Sequence, residues 1–98
     1  MHPPSDRNRA STPERSTDVA SSRTGETTLI LNVGDGHYFS LDDVGSRVWD
    51  LADGTRSVGE IATIIADEYS APPEVIAADV DQLFKELAEA GLVTLRMT

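Results

Sequence analysis

Two histidines, His2 and His37, are the only imidazoles in the sequence, and cysteine is absent. General base chemistry at neutral pH would fall to one of these rings. A nucleophilic triad would need a serine, His37 and an acid gathered from distant positions, because no local spacing supplies it. Without thiols there can be no disulfide framework, thiolate zinc site, iron–sulfur cluster or cysteine nucleophile, and the composition fits a reducing cytoplasm. Asp42-Asp43, and Asp50 with Asp53, follow no calcium-loop spacing and read as a helix N-cap and helix surface. Gly34-Asp35-Gly36 precedes an alternating segment rather than a helix N-terminus, so it reads as a turn and not as a phosphate cradle. The sequence therefore assigns no catalytic residue, no metal site and no cofactor. It points to a protein that binds rather than to an enzyme.

The 98 residues leave room for one small domain. Residues 1–16 hold Pro, Ser, Thr, Asp, Arg and Asn with almost no apolar content, which predicts a disordered N-terminal arm ahead of a folded domain over residues 17–98. Val19 and Ala20 allow a weak first strand within Thr17 to Ser22. Thr27 to Val33 is a firmer strand in which Leu29, Leu31 and Val33 share one face, and His37 to Leu41 resumes the two-residue period beyond the glycine turn, so the two form a hairpin. Three helices follow. The first runs from about Asp42 to Ala52, with Val44, Val48, Leu51 and Ala52 in one stripe. The second opens on the capping box Ser57-Val58-Gly59-Glu60 and stops before Pro72-Pro73. The third starts at Pro73 or Glu74, carries the stripe Ile76, Val80, Leu83, Phe84 and Leu87, and closes at Gly91. Leu92, Val93 and Leu95 form a last strand or a packed tail. The expected class is α+β and winged-helix-like, an N-terminal three-stranded antiparallel sheet followed by three helices.

Residues 25–98 hold Arg47, Arg56, Lys85 and Arg96 against fourteen carboxylates, a surface that repels phosphate backbones. The third helix offers Lys85 alone against Glu74, Asp79, Asp81, Glu86 and Glu89, which argues against a winged-helix DNA-binding protein and any nucleic-acid partner. No apolar run reaches the roughly 20 residues a membrane span needs, so neither membrane association nor a signal segment is expected, and a cytoplasmic location is. One strand of so small a sheet must be an edge, and His37 to Leu41 is the candidate template for another chain.

The run Gly36-His37-Tyr38-Phe39-Ser40-Leu41-Asp42, followed by Val44-Gly45 and Val48-Trp49, resembles the PqqD-like family. That family's signature is a glycine, two aromatics, leucine, asparagine, then a small residue and isoleucine–tryptophan. Asp53-Gly54-Thr55-Arg56-Ser57-Val58, Glu60-Ile61, Tyr69, Asp79-Val80, Leu83-Phe84, Leu87 and Gly91-Leu92-Val93 extend the likeness to roughly residues 17–95. Asp42 departs from the usual asparagine, a mild change because both cap helices. The resemblance implies a RiPP recognition element that grips the leader segment of a ribosomally made precursor peptide, the leader adding as a strand against the third helix. Carried over, the leader-binding residues are Gly36, His37, Tyr38, Phe39, Ser40 and Leu41 on the edge strand. On the helix, Ala77, Asp81, Phe84 and Ala88, with Lys85 beside them, are the expected surface, two alanines around one aromatic leaving room for an apolar guest side chain. The implied partners are a precursor leader peptide and a leader peptidase or other RiPP-modifying enzyme. In one setting a free-standing protein serves the leader peptidase and cyclase of lasso-peptide biosynthesis. In the alternative, a peptide chaperone serves a radical-SAM enzyme in pyrroloquinoline quinone-like biosynthesis.

Overall fold

The structure is a computed structural model and describes residues 10–97. The disorder expected over residues 1–9 lies outside the described residues. In chain order the elements are β1 (Ser11–Arg15), β2 (Val19–Thr24), β3 (Thr27–Asn32), β4 (Tyr38–Leu41), α1 (Asp43–Leu51), α2 (Val58–Glu68), α3 (Pro73–Glu89) and β5 (Val93–Met97). The α+β class and the three-stranded sheet ahead of three helices agree with the sequence pattern. β2, β3 and β4 pair antiparallel in that order, and Gly25 turns β2 into β3 at a φ of 60° that L side chains rarely adopt.

Thr28 and Ile30 point from β3 into the protein, so the face shared by Leu29, Leu31 and Val33 is the outward one. What fixes this choice is a run of buried hydroxyls. Arg23 Nε donates to Thr28 Oγ1 at 2.7 Å, the Thr28 hydroxyl donates to Ser46 Oγ at 2.7 Å, and Ser46 donates to the Glu26 carbonyl at 2.9 Å. The buried hydroxyls of Thr28 and Ser46 thereby find partners, and α1 is tied to the sheet through Ser46. Beneath it, Ile30 joins Val48, Trp49, Ile61, Ile65, Phe84 and Leu87 in one apolar core.

The helix ends are chemically explicit. Asp42 caps α1 by accepting the Gly45 N–H at 2.7 Å, and Ser57 with Glu60 forms the expected capping box on α2. Pro73 occupies the first turn of α3, where its missing N–H costs nothing. At the other end of α3 the Leu92 N–H returns to the Leu87 carbonyl at 2.9 Å and the Gly91 N–H to Ala88 at 3.1 Å, with Gly91 at a φ of 75°. That reversal aims β5 back along the domain.

There β5 meets β1 in a two-stranded antiparallel ribbon, Ser11 opposite Met97 and Arg15 opposite Val93. The arm expected to be disordered through residue 16 is therefore structured from Ser11 onward. Local composition misleads here because the ordering interactions come from far along the chain. Main-chain pairing with β5 orders the segment, Pro13 is fully buried, and the Arg15 guanidinium lies 4.6 Å from the centre of the Trp49 ring.

Candidate functional site

β4 is an edge strand of its sheet. Asn32 donates to the His37 carbonyl at 2.8 Å, and the register pairs Ile30 with Phe39 and Thr28 with Leu41. Antiparallel pairs alternate between bonded and non-bonded, so Phe39 and Leu41 spend their main-chain groups on β3 while those of Tyr38 and Ser40 face away from the sheet. Two residues apart, they present donors and acceptors roughly 7 Å from one another, the spacing another strand requires.

Beside this edge runs a groove of about 500 Å³ between β4, the first turns of α1, and α3. Phe39 and Leu41 line it from β4, Val44, Gly45 and Val48 from α1, and Ile76, Asp79, Val80 and Leu83 from α3. Gly45 is what lets α1 start so close to the strand: a Cβ there would sit 3.1 Å from Asp42 Oδ1 and 3.2 Å from the Leu41 Cβ. The lining is mostly aliphatic, with the carboxylates of Asp42 and Asp79 and no cation. An apolar cleft beside unpaired main-chain groups is suited to holding an extended peptide, main chain to main chain, with alternate side chains dropping into the cleft.

The expected residues divide by position. Phe39, Ser40 and Leu41 line the groove. Tyr38 contributes its main chain to the edge, while its ring is 71% exposed on the outer face with Leu29 and Leu31. Gly36 and His37 form the hairpin end. Gly36 donates to the Asn32 carbonyl at 2.8 Å, and the exposed His37 ring stands 3.3 Å from Asp35. The His37 N–H donated to Asp35 at 2.9 Å, aided by that ring contact, holds the Asp35 carboxyl below its ordinary value.

On α3 the expected residues stand apart from the groove. Ala77, Asp81, Phe84, Lys85 and Ala88 are not among the residues lining the groove. Each residue turns an α-helix by about 100°, so Ala77 and Asp81, two positions from Asp79, and Lys85, two from Leu83, fall on the other side. Phe84 is completely buried in the core. Sequence reasoning treated the stripe Ile76, Val80 and Leu83 as core alone and missed that its flank, together with Asp79, forms a wall. The usable signal was the width of the stripe. Leu83 and Phe84 are adjacent apolar positions about 100° apart on the helix, so Leu83 can pack against the core edge and still face the groove while Phe84 is wholly buried.

Among the described residues no three His, Cys, Asp or Glu side chains are grouped to hold a metal, and no helix is long and apolar enough to cross a membrane.

A family profile described as coenzyme PQQ synthesis protein D (PqqD) matches residues 27–93. A PqqA binding protein of Gluconobacter oxydans is 46% identical over 55 residues, which are 56% of this chain and 57% of the relative. The chain thus spans about half the length of the curated relatives it matches. Among solved structures, TbiB1 in complex with the TbiA(beta) leader peptide superposes with a TM-score of 0.75 at 31% identity, covering 82% of this chain and 93% of that one. The solution structure of the PqqD part of Methylobacterium extorquens PqqCD, described as a functional stand-alone RiPP recognition element, gives a TM-score of 0.69 at 27% identity, with coverage of 84% and 87%.

Proposed function

The chain belongs to the PqqD family, and from that premise we propose that it is a RiPP recognition element. It binds the leader segment of a ribosomally synthesised precursor peptide by strand addition to β4 and presents it to separate modifying enzymes. The observation that carries this reading is the juxtaposition of an unpaired edge, the main chain of Tyr38 and Ser40, with an apolar groove walled by α3. The leader's main chain completes the sheet, and its alternate side chains enter between Phe39, Leu41 and Leu83. In this role the protein positions a substrate and carries out no bond chemistry. Its site of action is the cytoplasm, where such precursors are made.

We propose the leader peptidase and cyclase of lasso-peptide type as the modifying partner; the likeness to TbiB1, solved with a leader peptide, supports the leader-binding part of this reading. Leu29, Leu31 and Tyr38 are exposed on the outer sheet face and offer that enzyme a surface separate from the groove. A second reading, service to a radical-SAM enzyme of pyrroloquinoline quinone biosynthesis, draws on the likeness to a PqqA binding protein.

The test is fluorescence anisotropy of labelled leader peptide, from any short precursor gene that sequencing finds beside the gene for this chain, titrated with the full chain. Binding in the nanomolar to micromolar range, about −8 to −12 kcal/mol, is expected. A leader that still tumbles freely at saturating protein sinks the proposal. Parallel titrations with the TbiA(beta) leader and with PqqA rank the two partner readings.

A further inference from the structure

The groove has an electrostatic signature of its own. Asp42 and Asp79 line it, and no Lys, Arg or His does. The arginines of the described residues are engaged elsewhere. Arg23 pairs with Asp50, Arg47 with Glu68, Arg56 with Asp53 and Arg96 with Glu14. Arg15 stacks on Trp49, and Lys85 lies on the far side of α3. Asp42 commits Oδ1 to the Gly45 N–H at 2.7 Å, which leaves its second oxygen for another donor, and Asp79 has no ion-pair partner among the described residues.

A strand laid on β4 removes water from this wall. A guest carboxylate there would face two like charges, and a neutral side chain would leave them without compensation as they lose water. A guest ammonium or guanidinium would restore what the water supplied. The surrounding domain, with fourteen carboxylates and four basic groups over residues 25–98, adds a field of the same sign that draws a cationic peptide in. A second copy of this acidic chain is disfavoured in the groove by the same field.

We propose, on the reading that the groove receives the leader, that the cleft between β4 and α3 selects a basic amphipathic strand: an apolar side chain set against Leu83 and a lysine or arginine placed to meet Asp79 and Asp42. Asp79 is then a specificity-determining residue.

The test uses fluorescein-labelled nine-residue peptides of alternating valine and threonine, with lysine, glutamine or glutamate walked through each position. They are titrated by anisotropy against the full chain while NMR follows the Tyr38 and Ser40 amides. At one position lysine is expected to bind about fivefold tighter than glutamine, with glutamate weakest. The preference should vanish in Asp79→Asn, invert in Asp79→Lys, and shrink in about 0.5 M salt. Asp79 is exposed on its helix, so both variants keep the fold. Equal affinities for lysine, glutamine and glutamate peptides that all move the β4 amides would overturn the charge selection and leave strand binding intact. Peptides that fail to bind, or bind without moving those amides, would bring down the groove as a strand receptor and this inference with it.

Discussion

Leu83 and Phe84 are sequence neighbours on α3, yet Leu83 lines the groove and Phe84 is wholly enclosed. Their truncations should separate binding from folding. Phe84→Ala is expected to cost about 3–5 kcal/mol of stability, because it leaves a cavity in the apolar core that fully buries the ring. Leu83→Ala should cost about 1 kcal/mol of stability and weaken leader binding by about 1–2 kcal/mol. Urea unfolding beside anisotropy measures both, and equal stability losses from the two variants would contradict the placement. Glu60, Glu68 and Asp53 supply a second residue-scale outcome. The Ser57 N–H bond to Glu60, the Arg47 fork on Glu68 and the Thr55 hydroxyl on Asp53 hold all three carboxyls below their ordinary values of 4.5, 4.5 and 3.8. A lowered folded value means that the stabilisation is present above the ordinary value and lost as pH falls through the lowered one. The melting temperature should therefore be level with respect to these groups above pH 4.5 and fall below it. Glu60→Gln should reduce that acid dependence, and a melting temperature unchanged far into acid would refute the assignment.

At the scale of elements, β4 has two sides with different duties. The Ser40 N–H faces away from β3, whereas the Phe39 N–H belongs to the ladder. Proline at residue 40 removes a donor offered to a guest, while proline at residue 39 removes one that holds the sheet. Ser40→Pro is expected to keep the circular dichroism spectrum and weaken leader binding at least tenfold, and Phe39→Pro to lose the fold. Leader binding of undiminished strength by a folded Ser40→Pro protein would place the ligand elsewhere. The hairpin that creates this edge was legible from Gly34-Asp35-Gly36 and the alternation around it. The outward turn of Leu29 and Leu31 was not, since alternation says only that they share a face. The buried contacts of Thr28 with Arg23 and Ser46 decide which face it is.

For the whole molecule, the ribbon of β1 and β5 brings the two ends of the described chain together, and Arg96 reaches Glu14 at 2.7 Å. Removing residues 1–9 should leave stability and leader binding within roughly 0.5 kcal/mol of the parent. Removing residues 1–16 should cost about 2–4 kcal/mol, because it strips β5 of its partner, uncovers the site of Pro13 and takes Arg15 off Trp49. Thermal denaturation of the two truncations checks this, and equal melting temperatures would show that the ribbon contributes nothing. Leader affinity should follow stability only through the folded fraction, because the groove lies between β4, α1 and α3 and the ribbon does not line it.

By itself the sequence determined the locally encoded features: the capping box at Ser57 and Glu60, the proline start of α3, the glycine turns, the α+β order and the candidate edge strand. Each depends on residues within a few positions of one another, so spacing and residue type suffice. The tertiary structure alone decided that Ser11–Arg15 is a strand, that Leu29 and Leu31 face outward, and that Asp79 and Leu83 rather than Ala77, Asp81 and Phe84 wall the groove. The physical reason is common to all three. A strand partner at the far end of the described chain, a buried hydroxyl run, and the rotation of a helix against its neighbours are long-range contacts. A periodic pattern gives a helix its apolar side but leaves open which flank of that side meets the core and which meets a cleft.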